Sequence, residues 1–309
     1  VVSGISIDKT SVYVGDTVAV TGTGFAANEN NIFVTLSGVK QGDAVTTDAN
    51  GLWHSTFTVP ETVNGSHVID AYGGITTAAS ITDKNLTVMC KVSLSPLAGN
   101  VGDTVTVKGS GFSGSRTITV QFGTIQVISE LSTGENGSFL TTFKVPKTTG
   151  GNIEVVVKDA ANISSGAMFE LDKTPPSVPR IKSPISNKAM GIIGDTRVDF
   201  FWNEVMDPSG VTYDMQVATD IDFNGVVMEQ TELAAPEYRS FDDEKLPEGP
   251  YYWRVRAIDY ASNASAWSTP AQFKVGLVSL TTLLIIVAVL VVVILISARA
   301  SAVFKSKKD

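Results

Sequence analysis

Two stretches of this chain repeat each other, and the repeat limits what the chain can fold into. Residues 14–25 read VGDTVAVTGTGF, and residues 101–112 read VGDTVTVKGSGF. A second block follows each copy at almost the same interval, NGLWHSTFTVP at residues 50–60 and NGSFLTTFKVP at residues 136–146. A repeat of this length and order indicates two copies of one domain in tandem.

Both copies have the residue pattern of β-strands. Apolar and polar residues alternate at a period of two, with Val18 and Val20 in the first copy and Val105 and Val107 in the second. The Asn-Gly pairs predict tight hairpin turns. Outside a C-terminal apolar stretch the sequence shows no sustained helical periodicity. These features predict β-sandwiches, and roughly 90 residues are enough for each to form its own core.

The two copies resemble the immunoglobulin-like repeats of prokaryotic surface proteins, close to the IPT/TIG group. The resemblance covers about residues 3–171 and rests on the strand motif and the Asn-Gly-x-aromatic motif quoted above. It implies immunoglobulin-like domains at residues 1–90 and 91–171, which such proteins use as spacers, adhesive modules and accessory modules alike. A lone Cys90 replaces the cysteine pair of antibody domains, which disfavours an animal immunoglobulin receptor.

Residues 172–275 differ from the repeats and resemble a fibronectin type III domain. This part opens with DKTPPSVP at residues 172–179 and later reads YYWRVRA at residues 251–257. Alternation places Trp253 toward the core and Arg254 and Arg256 on the opposite face. The resemblance implies that Trp267 lies across these two guanidinium groups as a cation–π ladder, a packing role rather than a ligand surface.

The linkers predict limited motion between domains. Residues 86–94 read LTVMCKVSL, without glycine or proline, so we expect one extended run from the last strand of the first repeat to the first strand of the second. The proline-rich segment after residue 172 predicts a semi-rigid spacer.

A long apolar stretch near the C-terminus predicts a membrane anchor. Residues 277–298 contain no ionisable side chain and are followed by Arg299, Lys305, Lys307 and Lys308. At ~1.5 Å per residue a helix of this length covers the ~30 Å hydrocarbon core. Because positive charge lies on the C-terminal side, we predict a transmembrane helix at 276–299 and a basic cytoplasmic tail at 300–309.

The predicted fold class is therefore all-β, with three tandem immunoglobulin- or fibronectin-like β-sandwiches and one C-terminal transmembrane α-helix. The predicted location is the plasma membrane, as a single-pass type I protein. Its ectodomain is then extracellular, or periplasmic if the source has an outer membrane. We expect Val1 to follow a removed signal peptide, or to be an artificial start.

Composition agrees with that placement. The chain has 31 Asp and Glu against 23 Lys and Arg, a net charge of −8, and such a surface repels nucleic acid. A single cysteine excludes an internal disulfide framework. We expect Cys90 to be a small core residue, with an intermolecular disulfide as the alternative.

The sequence offers little that indicates catalysis. His54 and His67 lack the spacing of a zinc site, and no G-x-S-x-G motif is present. Residues 109–114 match G-x-G-x-x-G, but a strand-like segment follows where a dinucleotide site needs a helix. The carboxylates at residues 242–244 predict a solvated loop rather than a glycosidase pair. We predict that the protein is not an enzyme.

One group of acidic residues suggests a cation site. In a fibronectin-like third domain, Asp172 opens the first strand, while Asp207, Asp259 and Asn263 occupy two loops at the same end. Converging oxygen ligands suit Ca²⁺. The alternative is that these residues form turns and cap their own loops. No other cofactor is indicated.

Five asparagines begin N-x-S/T sequons and are candidate glycosylation sites. Their number is only mildly above chance for a chain this rich in Ser and Thr. They are Asn64, Asn85, Asn136, Asn162 and Asn263.

The sequence thus favours a membrane-anchored, extracytoplasmic stalk or interaction protein of a prokaryotic cell envelope, with other envelope or membrane proteins as partners. Two alternatives stay open: an accessory single-pass subunit of a larger membrane or envelope complex, and a carbohydrate-binding adhesin. A stalk predicts an evenly polar surface with few exposed aromatics. A subunit predicts a contiguous apolar patch or a preferred helix face, and an adhesin predicts a coplanar Trp or Tyr platform.

Overall fold

The computed structural model describes residues 2–185, 188–276 and 280–306 and divides the chain into two compact units, Val1–Asp172 and Lys173–Asp309. Residues 277–279 of the predicted anchor lie outside the described residues, as do Val1 and residues 307–309 of the predicted basic tail.

The first unit begins with a β-sandwich built from one three-stranded and one five-stranded sheet, in the orders β1-β3-β6 and β2-β8-β7-β4-β5. Val18 and Val20 of β3 are fully buried between the sheets, which confirms the alternation predicted for this strand. The strands are β1 (Gly4–Ile7), β2 (Ser11–Tyr13), β3 (Thr17–Thr23), β4 (Ile32–Leu36), β5 (Val39–Val45), β6 (Trp53–Thr58), β7 (Gly65–Tyr72) and β8 (Lys84–Met89), with a 3₁₀ turn at Ala78–Ser80.

The second repeat forms a sandwich of the same design, with sheets β14-β11-β9 and β10-β16-β15-β12-β13. Its core contains Val105, Val107, Phe112, Phe122 and Phe169, all 1% exposed or less. The strands are β9 (Lys91–Ser95), β10 (Ala98–Gly99), β11 (Thr104–Ser110), β12 (Thr117–Phe122), β13 (Ile125–Ser132), β14 (Phe139–Lys144), β15 (Gly151–Asp159) and β16 (Ser164–Leu171).

The second unit contains a third sandwich, with sheets β17-β19-β22 and β18-β24-β23-β20-β21. Trp202, Phe200, Trp253 and Phe273 fill its core. The strands are β17 (Ile181–Ser183), β18 (Lys188–Met190), β19 (Asp199–Trp202), β20 (Val211–Ala218), β21 (Val226–Leu233), β22 (Glu237–Arg239), β23 (Gly249–Asp259) and β24 (Ala271–Val275), with a 3₁₀ turn at Asp242–Glu244.

All three sandwiches share one unusual pairing. The second strand of each runs parallel to the last strand, as β2 with β8, β10 with β16 and β18 with β24, whereas the other pairs are antiparallel. The third sandwich therefore repeats the connectivity of the first two although its sequence differs from theirs.

The glycines of the repeated motif have separate steric roles. A Cβ at Gly22 would lie 2.1 Å from the ring of Trp53, and one at Gly109 would lie 2.0 Å from the ring of Phe139. These two glycines therefore make room for the aromatic side chain of the second motif. The later glycine of each motif, Gly24 in the first copy and Gly111 in the second, has a φ of 72° or 68°, respectively. This is the left-handed conformation, which favours glycine.

The Asn-Gly pairs do not form the predicted tight hairpins. Gly51 and Gly137 do turn the chain, each with a φ of 73°. Their turns, however, join β5 to β6 and β13 to β14, and the strands of each pair belong to opposite sheets. The hairpin prediction was wrong because the Asn-Gly signal marks a turn without specifying which strands pair across it.

The chain ends in helix α1 (Leu280–Ser306). Side chains are described for residues 282–297 of this helix, and the large apolar ones from Leu283 to Ile296 are 39% to 63% exposed. Within the described residues, no helix is long and apolar enough to cross a membrane.

Candidate functional site

A buried aspartate closes the same loop in the second and third sandwiches. Asp159 ends β15 and Asp259 ends β23, and each is 3% exposed. The Oδ1 atom of Asp159 accepts hydrogen bonds from the N–H groups of Ala161 and Ile163, both at 2.9 Å. Oδ1 of Asp259 accepts one from the N–H of Asn263 at 2.8 Å. Each carboxylate thus folds the following loop back onto its strand.

In the first sandwich a glutamate from another sequence position takes this role. Oδ2 of Asp159 accepts a hydrogen bond from the N–H of Ser113 at 3.0 Å. Ala26 is the equivalent of Ser113 in the first repeat, and its N–H donates to Oε2 of Glu29 at 3.3 Å. Oε1 of Glu29 accepts from the N–H of Thr76 at 2.7 Å. The repeat alignment does not reveal this substitution because the two acids lie on different segments.

Both carboxylates are held in the ionised form. Burial raises the pKa of Glu29 and of Asp159, but the hydrogen bonds donated by Thr76 and by Ser113, together with those of neighbouring groups, outweigh it and lower each pKa. These acids therefore act as fixed anions that organise loops rather than as proton donors.

Three of the four predicted calcium ligands, Asp207, Asp259 and Asn263, take part in turns. Asp172 is the last residue of the first unit and donates its backbone N–H within that unit. In the second unit, carboxylate oxygens of Asp207 and Asp259 lie within 4.8 Å of each other. Oδ1 of Asp207 accepts from the N–H of Ser209 at 2.9 Å, and Nδ2 of Asn263 donates to Oδ2 of Asp259 at 2.8 Å.

These turn contacts do not by themselves indicate a cation. Asp159 makes equivalent bonds in the second sandwich, where no calcium ligands were predicted. The calcium site at Asp172, Asp207, Asp259 and Asn263 stays a prediction.

The cation–π ladder predicted in the third sandwich is confirmed. The guanidinium carbons of Arg254 and Arg256 lie 4.5 and 4.6 Å from the centre of the Trp267 ring. Arg254 donates two hydrogen bonds to Gln216, at 3.0 and 2.7 Å, and Arg256 forms a 2.8 Å ion pair with Asp214. The ladder's hydrogen bonds stay within its own sheet, which fits the packing role.

Direct contacts tie the first two sandwiches together. Oε2 of Glu61, in the first, accepts hydrogen bonds from Nδ2 of Asn136 at 2.8 Å and from the hydroxyl of Ser138 at 3.0 Å. The N–H of Asn64 donates to the carbonyl of Phe112 at 3.3 Å. We call this set of contacts the repeat junction.

The predicted extended run through residues 86–94 is confirmed, with Cys90 alone between β8 and β9. Cys90 is half-buried rather than part of a core, and its thiol donates to the carbonyl of Ser164 at 3.2 Å. Burial raises the pKa of this thiol, which keeps it protonated and unreactive at neutral pH.

The histidines connect structural elements. Nδ1 of His54 lies 2.9 Å from the hydroxyl of Thr21. His67 lies between the carbonyl of Val63, 2.9 Å from Nε2, and the hydroxyl of Ser37, 3.2 Å from Nδ1. Because a carbonyl only accepts, Nε2 is the donor of the contact with Val63.

The glycine motif at residues 109–114 and the acidic residues 242–244 both lie at connections between strands. The G-x-G-x-x-G match at residues 109–114 ends β11 and leads into strand β12 rather than a helix, as expected. In the 3₁₀ turn at Asp242–Glu244, Glu244 accepts a 2.6 Å hydrogen bond from the hydroxyl of Tyr238. Burial and then this bond raise the pKa of Tyr238.

Two family models match parts of the chain. Residues 91–169 match the IPT/TIG domain, and residues 196–279 match the Rha78A-like, N-terminal immunoglobulin domain. Domains of these types are typically non-catalytic structural or interaction modules. The third sandwich thus matches an immunoglobulin model, and the finer fibronectin type III assignment stays a prediction. No curated protein matches the sequence.

Solved structures that align with this chain include the adhesin InvE of Yersinia pseudotuberculosis, at 15% identity and a TM-score of 0.28, over 55% of this chain and 58% of that one. The fibronectin(III)-like modules of Clostridium thermocellum CbhA align at 17% identity and a TM-score of 0.28, over 60% of this chain and 94% of theirs. The FN1–FN3 domains of chicken CNTN1 align at 11% identity and a TM-score of 0.29, over 88% of this chain and 98% of theirs. The chain thus spans little more than half the length of the adhesin.

Proposed function

We propose that this chain is a membrane-anchored protein of a prokaryotic cell envelope whose β-sandwiches stand outside the cytoplasm as non-catalytic spacer and interaction modules. The observation that carries the proposal is the repeat junction. A single residue, Cys90, separates β8 from β9, and Glu61 bridges to Asn136 and Ser138 of the next sandwich. A joint with so short a connection and direct cross-contacts holds its two domains in a fixed relation, as a spacer requires.

The surface of the sandwiches also favours a spacer. Every tryptophan and tyrosine of the chain lies within the described residues and is buried or half-buried, so these residues offer no exposed Trp or Tyr platform for a sugar. The most exposed apolar side chains of the sandwiches, such as Ile75, Leu140 and Met206, belong to separate loops and strands. Apolar residues scattered in this way are ordinary for a protein surface.

Anchoring is supported by the C-terminal sequence. The apolar stretch runs from Leu277 to Ala298 and extends beyond both ends of the described side chains of α1. Its described apolar side chains are exposed all around the helix, which water disfavours by about 25 cal/mol per Å² of apolar surface. Lipid removes that penalty. The basic residues that follow the stretch support a cytoplasmic tail by the positive-inside rule.

Protease accessibility tests the proposed topology. Protease added to intact cells that lack an outer membrane should remove residues 1 to about 275 and leave a tag placed after Asp309 intact. The same cells after lysis, in which the tag becomes accessible, provide the control. An ectodomain that stays protected in intact cells contradicts the proposal.

Distances between spin labels test the spacer role. In a Cys90→Ser background, labels on Val39→Cys of the first sandwich and Leu140→Cys of the second, both exposed, should give one narrow distance distribution. The pair Val39→Cys and Val68→Cys, within the first sandwich, serves as the rigid reference. A distribution across the junction that is broad compared with this reference would show a flexible tether.

A further inference from the structure

The second and third sandwiches carry the same loop, but the sequon within it is shifted by one residue. The loop after β15 reads DAANIS from Asp159, and the loop after β23 reads DYASNAS from Asp259. The sequon asparagine is therefore the fourth residue of the first loop, Asn162, and the fifth of the second, Asn263.

The fourth position is the tip of the loop. Asn162 and the equivalent Ser262 have left-handed φ angles of 67° and 65°, and their N–H groups donate to the carbonyls of Asp159 and Asp259 at 3.0 and 3.1 Å. The side chain of Asn162 is exposed and forms no hydrogen bond within the described residues. Its amide nitrogen is therefore not engaged by another group of these residues.

The fifth position is the anchor of the loop. Asn263 is half-buried and donates to Asp259 twice, from its backbone N–H and from Nδ2, both at 2.8 Å. In the second sandwich Ile163 fills this position and makes only the backbone bond. The nitrogen that a glycan would need is thus already bound in Asn263.

We propose that Asn162 and Asn85 are the N-glycosylation acceptors of the folded protein and that the other three sequons are not used. The inference rests on the proposed function, since it needs these sandwiches outside the cytoplasm. The co-reactant is a lipid-linked oligosaccharide phosphate. A bond forms between Nδ2 and the sugar C1 as the C1–O bond to phosphate breaks; the amide loses one proton and the lipid phosphate leaves.

The remaining three sequons also divide into those whose asparagine is held or half-buried and one whose asparagine is exposed. Nδ2 of Asn136, the atom that would react, donates to Glu61, and the sequon hydroxyl of Ser138 lies 3.0 Å from Oε2 of Glu61 and 2.6 Å from Oδ1 of Asn136, so contacts at the repeat junction engage both groups. Asn64 is half-buried at that junction. Asn85, by contrast, is exposed on β8, and so is Thr87, the hydroxyl residue of its sequon.

The first test uses the purified, folded full chain in detergent. It is incubated with an oligosaccharyltransferase that accepts N-x-S/T and its lipid-linked oligosaccharide, and occupancy is read by mass spectrometry of glycopeptides. Synthetic peptides centred on each sequon serve as the reference. We expect modification at Asn162 and Asn85 alone, although all five peptides react. Equal occupancy of Asn263 and Asn162, or a bare Asn162 whose peptide reacts, overturns the proposal.

A matched pair of variants moves each sequon to the other position. Asn162→Ser with Ile163→Asn places the sequon at the fifth position and should abolish modification of that loop. Ser262→Asn with Asn263→Ile and Ala264→Ser places it at the fourth position and should introduce modification there. Melting temperatures close to the parent's establish that both variants are folded. Modification of both or neither of the shifted sequons refutes the argument from loop position.

Protein purified from its native membranes distinguishes a failure of this inference from a failure of the proposed function. If the protease assay shows the sandwiches to be cytoplasmic, the proposed function fails and the inference fails with it. If the sandwiches are outside and native Asn162 carries no glycan, the inference alone is overturned. A glycopeptide containing Asn162, with Asn263 bare, supports both.

Discussion

Replacing Asp159 should open the loop that it closes and weaken the whole second sandwich. The carboxylate is 3% exposed and accepts hydrogen bonds from three backbone N–H groups, those of Ser113, Ala161 and Ile163. Asp159→Ala removes both acceptor oxygens, and with them all three hydrogen bonds, and leaves the half-buried N–H groups of Ser113 and Ile163 without this partner.

The expected loss follows from the number and burial of these bonds. A hydrogen bond contributes about 0.5–1.5 kcal/mol net, and a donor left unsatisfied in a buried site costs about 1–3 kcal/mol. Because Ala161 is exposed and can bond to water, we expect a loss of about 3 kcal/mol for Asp159→Ala. Asp159→Asn keeps Oδ1 but replaces Oδ2 with an NH₂ donor, which faces the N–H donor of Ser113. We therefore expect the free energy of unfolding to fall by about 1–2 kcal/mol.

The contribution of Asp159 should also depend on pH. Its pKa is lowered in the folded state, below the value of about 3.9 of an unfolded chain. The stabilisation is therefore fully present above about pH 4 and is lost as the pH falls through the folded-state pKa. The difference in stability between the parent and Asp159→Asn should shrink across this acidic range.

Amide hydrogen exchange is the appropriate assay, because the second sandwich contains no tryptophan to report its unfolding. Exchange in peptides from β12 and β15 gives the free energy of opening of this sandwich. Glu154→Ala, at an exposed position of β15, is the matched control and should change that free energy by less than about 0.5 kcal/mol. If Asp159→Ala changes it no more than the control does, the carboxylate does not hold the loop and the reasoning fails.

Three further predictions concern the repeat, the junction and the proposed cation. Gly24→Val and Gly111→Val each force a β-branched residue to a positive φ and should destabilise by roughly 1–3 kcal/mol; thermal melts equal to the parent's would show ordinary loop sites. Glu61→Ala should broaden the spin-label distance distribution across the repeat junction and leave the reference distance unchanged; an unaltered distribution would mean that its two hydrogen bonds are dispensable. A bound Ca²⁺ should raise stability by about 2.7 kcal/mol at a hundredfold excess over Kd, and Asp207→Asn with Asp259→Asn should remove the effect; a melting temperature that is the same in calcium and in chelator leaves these residues as turn formers.

Local pattern was sufficient for the strands and for the ladder. Alternation at a period of two follows from the pleat of a strand, so it placed Val18 and Val20 inside without knowledge of their partners. The same alternation put Arg254 and Arg256 on one face, where neighbouring side chains of a strand are close enough to share the ring of Trp267.

The candidate sites were harder to predict because hydrogen bonds join residues far apart in the chain. Glu29 bonds to Thr76, and Asp159 reaches back to Ser113. Neither contact appears in a repeat alignment. The five sequons looked equivalent in sequence, yet burial and the contacts of the repeat junction separate Asn85 and Asn162 from the rest.

The sequence by itself determined the repeated motif, the strand pattern and the glycine positions, since these depend on sterics and periodicity within a few residues. Only the tertiary structure decided that the Asn-Gly turns connect opposite sheets, and that a shift of one residue separates an exposed loop tip from its anchor. The physical reason is that strand pairing and burial depend on contacts between backbone groups that are far apart in the chain. A local sequence pattern does not specify those contacts.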